Sequence, residues 1–85
     1  MEETQYYAII GRGEVPSNPS GLARRIKDGD ETVDQSLRSD LSWGPTTAIA
    51  VWDYGEDLTQ DLKKISRHEA DELIERFRER WSLEG

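Results

Sequence analysis

SRHEADELIERFRERW, residues 66–81, is the stretch that decides how the C-terminal part of the chain folds. Ser66 is followed three residues later by Glu69, which is the capping-box pattern: the serine accepts from a backbone N–H, and the glutamate reaches back to the cap. Apolar residues then recur at helical spacing; they are Ala70, Leu73, Ile74, Phe77 and Trp81. The stretch therefore predicts an amphipathic helix from about residue 67 to residue 82.

The same stretch contains the single histidine, His68, among several acidic residues, which raises the question of a metal or acid–base site. A zinc site needs three or four Cys, His or carboxylate ligands, and the chain has no cysteine. Glu72 stands where the H-E-x-x-H motif requires a second histidine. Acidic residues in a first helical turn are stabilised by the helix dipole. We therefore expect no metal ligands and no catalytic residues here, and a protein that is not an enzyme.

Upstream of the helix, three segments are typical of β-strands. QYYAIIGR (5–12) combines aromatic and β-branched residues and ends near a glycine. LARRIK (22–27) runs into Asp28-Gly29, a dipeptide that favours a hairpin turn. LKKIS (62–66) can form a further short strand. The predicted fold class is α+β, with a three- or four-stranded, mainly antiparallel sheet and the C-terminal helix packed on one face.

Residues 30–44 are ambiguous. Val33, Leu37 and Leu41 recur every four residues, as in a short helix, but the residues between them are indifferent helix formers. A strand returning from the turn fits equally, and we favour a strand for the later part, SDLSW (39–43). WGP (43–45) is interpreted as a break.

TTAIAVWDY (46–54) presents a second choice between helix and strand. Its β-branched and aromatic residues favour a strand, although Pro45 could open a helix at its first turn. We predict a strand here. The predicted core then includes side chains from every element; they are Tyr7, Ile9, Leu22, Ile26, Ile49, Val51, Leu73, Ile74, Phe77 and Trp81.

Length and composition limit the function classes. A chain of 85 residues is expected to be one small domain, residues 1–85, with disordered tails at 1–4 and 83–85. The absence of cysteine excludes disulfides and thiolate chemistry. The acidic N-terminus predicts no signal peptide, and no apolar run is long enough for a membrane span, so we expect a cytoplasmic protein. Neither a nucleotide-binding glycine pattern nor an EF-hand pattern is present, and no cofactor is expected.

The net charge of −7 is concentrated in the middle of the chain, because residues 28–61 contain nine acidic residues and one base, Arg38. Such a segment repels nucleic acid and anionic membranes and attracts basic partners. Trp43, Trp52 and Tyr54 lie inside it, either as core residues or as interface anchors. The candidate partner-binding residues are therefore Asp40, Trp43, Trp52, Asp53, Tyr54, Glu56 and Asp57.

This pattern favours a small, acidic, non-catalytic protein-interaction module. It could be an inhibitor, or an antitoxin-like or immunity-like partner of a basic protein, binding neither nucleic acid nor membrane. Two alternatives remain open: a domain that binds a small ligand or a cation, and a self-associating structural subunit such as a homodimer.

The layout YYAII…GLARR…DG…DLSWGPT…KKIS…EADELIERFRERW resembles small uncharacterised proteins of high-GC Gram-positive bacteria. The shared features are a tyrosine-rich first strand, a Trp-x-Pro break and a terminal Ile-Ser-x-x-Glu-Ala helix. The likeness covers most of the chain and implies the same architecture. It implies no activity, so no functional residue is carried over.

Overall fold

The structure is a computed structural model that describes residues 2–11, 19–55 and 60–84. Within these ranges it contains five strands and two helices: β1 (Glu2–Gly11), β2 (Gly21–Asp28), β3 (Glu31–Leu37), β4 (Trp43–Pro45), α1 (Ala48–Asp53), β5 (Gln60–Ile65) and α2 (Arg67–Glu84). The strands form one antiparallel sheet in the order β4-β3-β2-β1-β5. The α+β prediction is confirmed, with five strands where three or four were expected.

Side chains alternate across the sheet and build a separate apolar core on each face. On one face Ala8 and Leu22 pack with Phe77 of α2, together with other residues of β5 and α2. On the opposite face Tyr7 and Ala23 pack with Ile49 of α1. Strand β1, which lies between β2 and β5, therefore contributes adjacent residues to both cores, and two helices from different parts of the chain cover the two faces.

The predicted hairpin between β2 and β3 is confirmed. Asp28 pairs with Glu31, so that Gly29 and Asp30 form a two-residue connection. Gly29 has a φ of 62°, and Asp30 is not among the non-glycine residues with a positive φ. A positive φ at the first turn residue alone is the pattern of a type II′ turn, which favours glycine at that position.

Helix α2 begins as predicted. The Glu69 backbone N–H donates to Ser66 Oγ at 3.1 Å, and the Ser66 backbone N–H donates to Glu69 Oε1 at 3.4 Å. Further along, the rings of Phe77 and Trp81 stack with centroids 4.8 Å apart and planes at 9°. The buried face of α2 is formed by Ala70, Leu73 and Phe77. The capping box and the apolar stripe thus act as the sequence indicated.

The assignment of residues 30–45 was wrong in two places. The strand lies in the earlier part, Glu31–Leu37, while residues 38–42 form a turn in place of the expected strand at 39–43. In that turn Leu41 has a φ of 69°, and the Arg38 N–H donates to Ser42 O at 2.8 Å. The expected break at 43–45 is the edge strand β4. Proline is compatible with an edge strand, because its nitrogen can face the side that has no neighbouring strand, where no N–H donor is needed.

The strand predicted for residues 46–54 is also wrong, because residues 48–53 form helix α1. The Ala48 backbone N–H donates to Thr46 Oγ1 at 3.2 Å just before the helix. The helical spacing directs Ile49 and Trp52 to the same side, where both pack against the sheet. Tertiary packing therefore outweighs the β-propensity of this segment.

The predicted core is right in part. Tyr7, Leu22, Ile49, Leu73 and Phe77 are buried, whereas Ile9, Ile26, Val51, Ile74 and Trp81 are only half-buried. Further buried side chains were not predicted; they include Ala8, Ile10, Ala23, Leu62, Ile65 and Ala70. Residues 2–4 belong to β1 and residues 83–84 to α2, where disordered tails were expected.

Candidate functional site

The face of the sheet under α2 is only partly covered. The apolar contacts of α2 reach Ala8, Leu22 and Leu37 but include neither Ile26 nor Val33. The sheet continues beyond the helix for two further rows of side chains, towards the β2–β3 turn. We call this region the acidic end and define it by its two rows: Glu2, Asp28 and Glu31, and Thr4, Ile26 and Val33.

The outer row consists of three carboxylates in register on neighbouring strands. Glu2 pairs with Asp28, and Asp28 pairs with Glu31. All three are exposed and, by the alternation of side chains, they point to the α2 face. Asp30 adds a fourth acid in the turn itself. The register therefore concentrates negative charge at this end of the sheet.

The inner row is apolar and open to solvent. Thr4 pairs with Ile26, which pairs with Val33. Val33 is 47% exposed and Ile26 is half-buried. The next row contains Arg24, whose guanidinium lies 4.0 Å from the centroid of the Trp43 ring and donates to Gln35 Oε1 at 2.8 Å. The acidic end therefore contains an apolar strip, which lies between its own row of carboxylates and the neighbouring Arg24–Trp43 pair.

The opposite face contains a groove beside α1. It has a volume of about 470 Å³, and its lining includes Tyr7, Arg25, Lys27, Trp52, Asp53 and Lys64. Arg25 is held in this groove by two carboxylates. Its Nε lies 2.8 Å from Asp34 Oδ1 and its Nη2 3.0 Å from Asp34 Oδ2, while Nη1 reaches Asp53 Oδ2 at 3.2 Å. These bonds raise the pKa of Arg25 further above its usual range, chiefly through the hydrogen bond to Asp34.

Tyr7 and Trp52 meet at the inner end of this groove. Their ring centroids are 6.2 Å apart in an edge-on arrangement, and the Trp52 Nε1–H donates to Asp61 Oδ1 at 3.0 Å. Burial raises the pKa of Tyr7 above its ordinary value, Arg25 opposes this effect, and the nearby carboxylates Asp53 and Asp34 add to it. The phenol is thus held neutral at the edge of a charged cluster.

The structure does not gather the predicted partner-binding residues on one surface. Trp43 lies on the α2 face, whereas Trp52 and Asp53 lie on the α1 face, where Asp53 is paired with Arg25. Tyr54 follows α1 and is 81% exposed. Asp40 lies in the 38–42 turn, where hydrogen bonds from the Ser42 hydroxyl and N–H lower its pKa. Glu56 and Asp57 lie outside the described residues.

The acidic end was not identified from the sequence. Glu2 was assigned to a tail, and Val33 was considered as a helical residue. A signal was nevertheless present: a two-residue turn after Asp28 places Asp28 directly opposite Glu31. Extending the first strand back to Glu2 would have completed the row of acids. The missing step was the strand register, which only the partner strands define.

No group of three or more His, Cys, Asp or Glu residues within 2–11, 19–55 and 60–84 is arranged to hold a metal ion. His68 Nε2 lies 3.1 Å from Glu72 Oε1, and both side chains are largely exposed. This contact is an ordinary pair of positions i and i+4 on a helix surface. Neither of the two described helices is long and apolar enough to cross a membrane.

The chain was compared with protein-family models, curated proteins and solved structures, and none of them matches it. The resemblance to small proteins of high-GC Gram-positive bacteria therefore stays an expectation. The functional proposal has to rest on the surface chemistry of this chain.

Proposed function

We propose that this chain is a non-catalytic protein-binding domain whose acidic end receives a basic segment of a partner protein. The observation that carries the proposal is the register row of Glu2, Asp28 and Glu31 beside the exposed Val33. This concentration of negative charge would attract Lys or Arg side chains of a partner and speed their association.

The apolar strip favours a protein as the partner over a simple cation. Interfaces commonly combine a desolvated apolar centre with a charged rim, and Val33 with Ile26 supplies such a centre next to the carboxylates. The expected partner segment therefore places an aliphatic or aromatic side chain on Val33 and Lys or Arg side chains over the acids. The strip is small, so we expect a salt-sensitive interaction whose association rate depends strongly on charge.

Self-association through this surface is disfavoured, since two copies would bring two rows of carboxylates together. A homodimer would have to use a different surface. An inhibitor, antitoxin-like or immunity-like role is consistent with the proposed binding mode, because each of these would use an acidic domain to mask a basic surface.

The test compares two double charge reversals of the full chain. Glu2→Lys with Glu31→Lys changes the acidic end, whereas Asp71→Lys with Glu75→Lys makes the same charge change on the exposed side of α2. Parent and variant proteins are immobilised, exposed to lysate at low and high salt, and the retained proteins are identified and then tested as purified components.

A basic protein that binds the parent and the α2 variant, but loses at least tenfold in affinity for the acidic-end variant, supports the proposal. Equal loss in both variants would reduce the effect to net charge and contradict it. Asp53→Lys is a useful third variant, because it changes the opposite face near Trp52 and Tyr54. Loss of binding in this variant alone would place the interface among the residues first predicted from the sequence.

A further inference from the structure

We propose that the groove beside α1 is a second, independent binding site, and that its ligand is a small organic anion with a planar apolar body, such as an arylcarboxylate. The groove lies on the face opposite the acidic end and does not depend on the function proposed there. Its volume of about 470 Å³ is within the range of small-molecule sites.

Cationic side chains stand on both walls of this groove. Arg25 and Lys27 come from β2, and Lys64 comes from β5, on the other side of β1. Neither lysine forms an ion pair with another described residue. Glu3 and Asp53 are the acids in the lining, and Asp34 binds Arg25 from beside it, so three cations face three carboxylates. The groove is therefore locally neutral, in contrast to the net charge of −7 of the whole chain.

The guanidinium of Arg25 is held in place by its ion pairs, but these do not use all of its N–H donors. A guanidinium has five N–H donors, and the bonds to Asp34 and Asp53 use three of them. Two donors remain, on a side chain whose orientation is fixed by carboxylates on two different elements. A planar, pre-oriented guanidinium is well suited to bind a carboxylate, because little side-chain entropy remains to be lost.

The floor and inner end of the groove supply the rest of the site. Tyr7 lines the groove although its side chain is largely buried. Its hydroxyl forms no hydrogen bond with another described residue. Trp52 adds a half-buried aromatic surface beside it. A planar ligand body can pack against the indole while its anionic group accepts from the phenol and the guanidinium.

A cationic ligand fits this lining poorly. The carboxylate of Asp53 is already bonded to Arg25, so an ammonium group would have to compete with the guanidinium for it. The same ammonium group would lie near Lys27 and Lys64. Glu3 is the lining acid that is not bonded to Arg25, and the two lysines outnumber it, so the groove favours an anionic ligand.

The test titrates the full-length, 15N-labelled chain with phenylacetate and, separately, with phenethylamine, which has the same ring and the opposite charge. We expect phenylacetate to shift the Trp52 indole N–H and the backbone amides of Tyr7 and Arg25 in a saturable manner. Lys64→Gln should weaken phenylacetate binding about tenfold, as expected for loss of one charge-assisted contact. The matched control is Lys63→Gln, one position earlier on β5 and facing the other side of the sheet, which should change the affinity less than twofold.

Three results would overturn the inference. These are equal responses to phenylacetate and phenethylamine, no saturable shift up to about 20 mM phenylacetate, or equal losses in the two lysine variants. Tyr7→Phe provides a second check, since it removes only the hydroxyl and keeps the ring in the core. It should weaken phenylacetate binding several-fold, whereas Asp71→Lys with Glu75→Lys, on the exposed side of α2, should change that binding less than twofold.

Discussion

Phe77 is the residue whose truncation tests most directly how α2 is held on the sheet. Its side chain is 1% exposed, contacts the core of the α2 face and stacks on Trp81 at 4.8 Å. Phe77→Ala should lower the free energy of unfolding by about 3–5 kcal/mol, the usual cost of removing a buried phenylalanine side chain. A domain of 85 residues has a total of about 4–13 kcal/mol, so this loss removes a large fraction of the stability.

The assay is urea or thermal unfolding followed by far-UV circular dichroism. Phe77→Ala should reduce the Tm by at least about 12 °C. Phe77→Leu retains most of the buried apolar volume but loses the ring stack, so we expect a smaller cost of about 1–2 kcal/mol. A Phe77→Ala protein that unfolds within about 1 kcal/mol of the parent would refute the conclusion that α2 is anchored through this side chain.

Three further predictions concern charged and titrating groups. Asp34→Asn should lower the free energy of unfolding by about 1.5–3 kcal/mol in urea, because it weakens two hydrogen bonds to a mostly buried Arg25. Asp53→Asn affects one bond at a half-exposed position and should cost less than about 1 kcal/mol. Equal costs for the two variants would contradict this ranking. Glu31→Lys should stabilise the isolated domain by about 0.2–1 kcal/mol at low salt and by less at 1 M salt, because it places a lysine directly opposite Asp28; a destabilised variant would contradict the expected gain from this cross-strand pair. Tyr7 should ionise at higher pH in the folded protein than in the unfolded chain, as followed by absorbance. Because the folded state then retains this proton longer, stability should fall as the pH rises above 10, an effect that Tyr7→Phe should remove.

The parts of the fold that could be predicted are those determined by local signals. The Ser66–Glu69 box fixes the start of α2 through hydrogen bonds between residues three positions apart. The predicted hairpin forms one residue later than the dipeptide Asp28-Gly29 indicated, with Gly29 and Asp30 as its turn residues, because Gly29 accepts a positive φ at the first turn position. Neither feature requires knowledge of the rest of the chain.

The errors occur where the decision is made by distant residues. Residues 48–53 have strand-forming side chains, yet they are helical because Ile49 and Trp52 then cover Tyr7 and Leu62 together. The four-residue spacing of Val33 and Leu37 fits a strand as well as a helix, since an even spacing also returns to the same face of a sheet. Local propensity could not distinguish these cases.

The candidate sites were harder to predict than the fold. The acidic residues that are close in the sequence lie on different surfaces of the folded chain. Asp34 and Asp53 form ion pairs with Arg25 on the α1 face. Glu31 lies on the α2 face, in the same row as Glu2, which is distant in the sequence. The groove beside α1 could not be anticipated, because α1 itself was interpreted as a strand. A surface depends on register and on which face an element covers, and neither can be read from charge counts.

The pairing of the first strand with the last has a consequence for the newly made chain. Strands β1 to β4 each pair with the next strand in the sequence. Strand β1 also pairs with the distant strand β5, residue 6 with residue 65 and residue 11 with residue 60. Until β5 arrives, one edge of β1 presents unpaired backbone groups along the segment Tyr7–Ile10, which is rich in apolar side chains. The same segment cannot bury either face before α1 and α2 are available. The interval before this closure is when the chain is most exposed to aggregation and to chaperone capture.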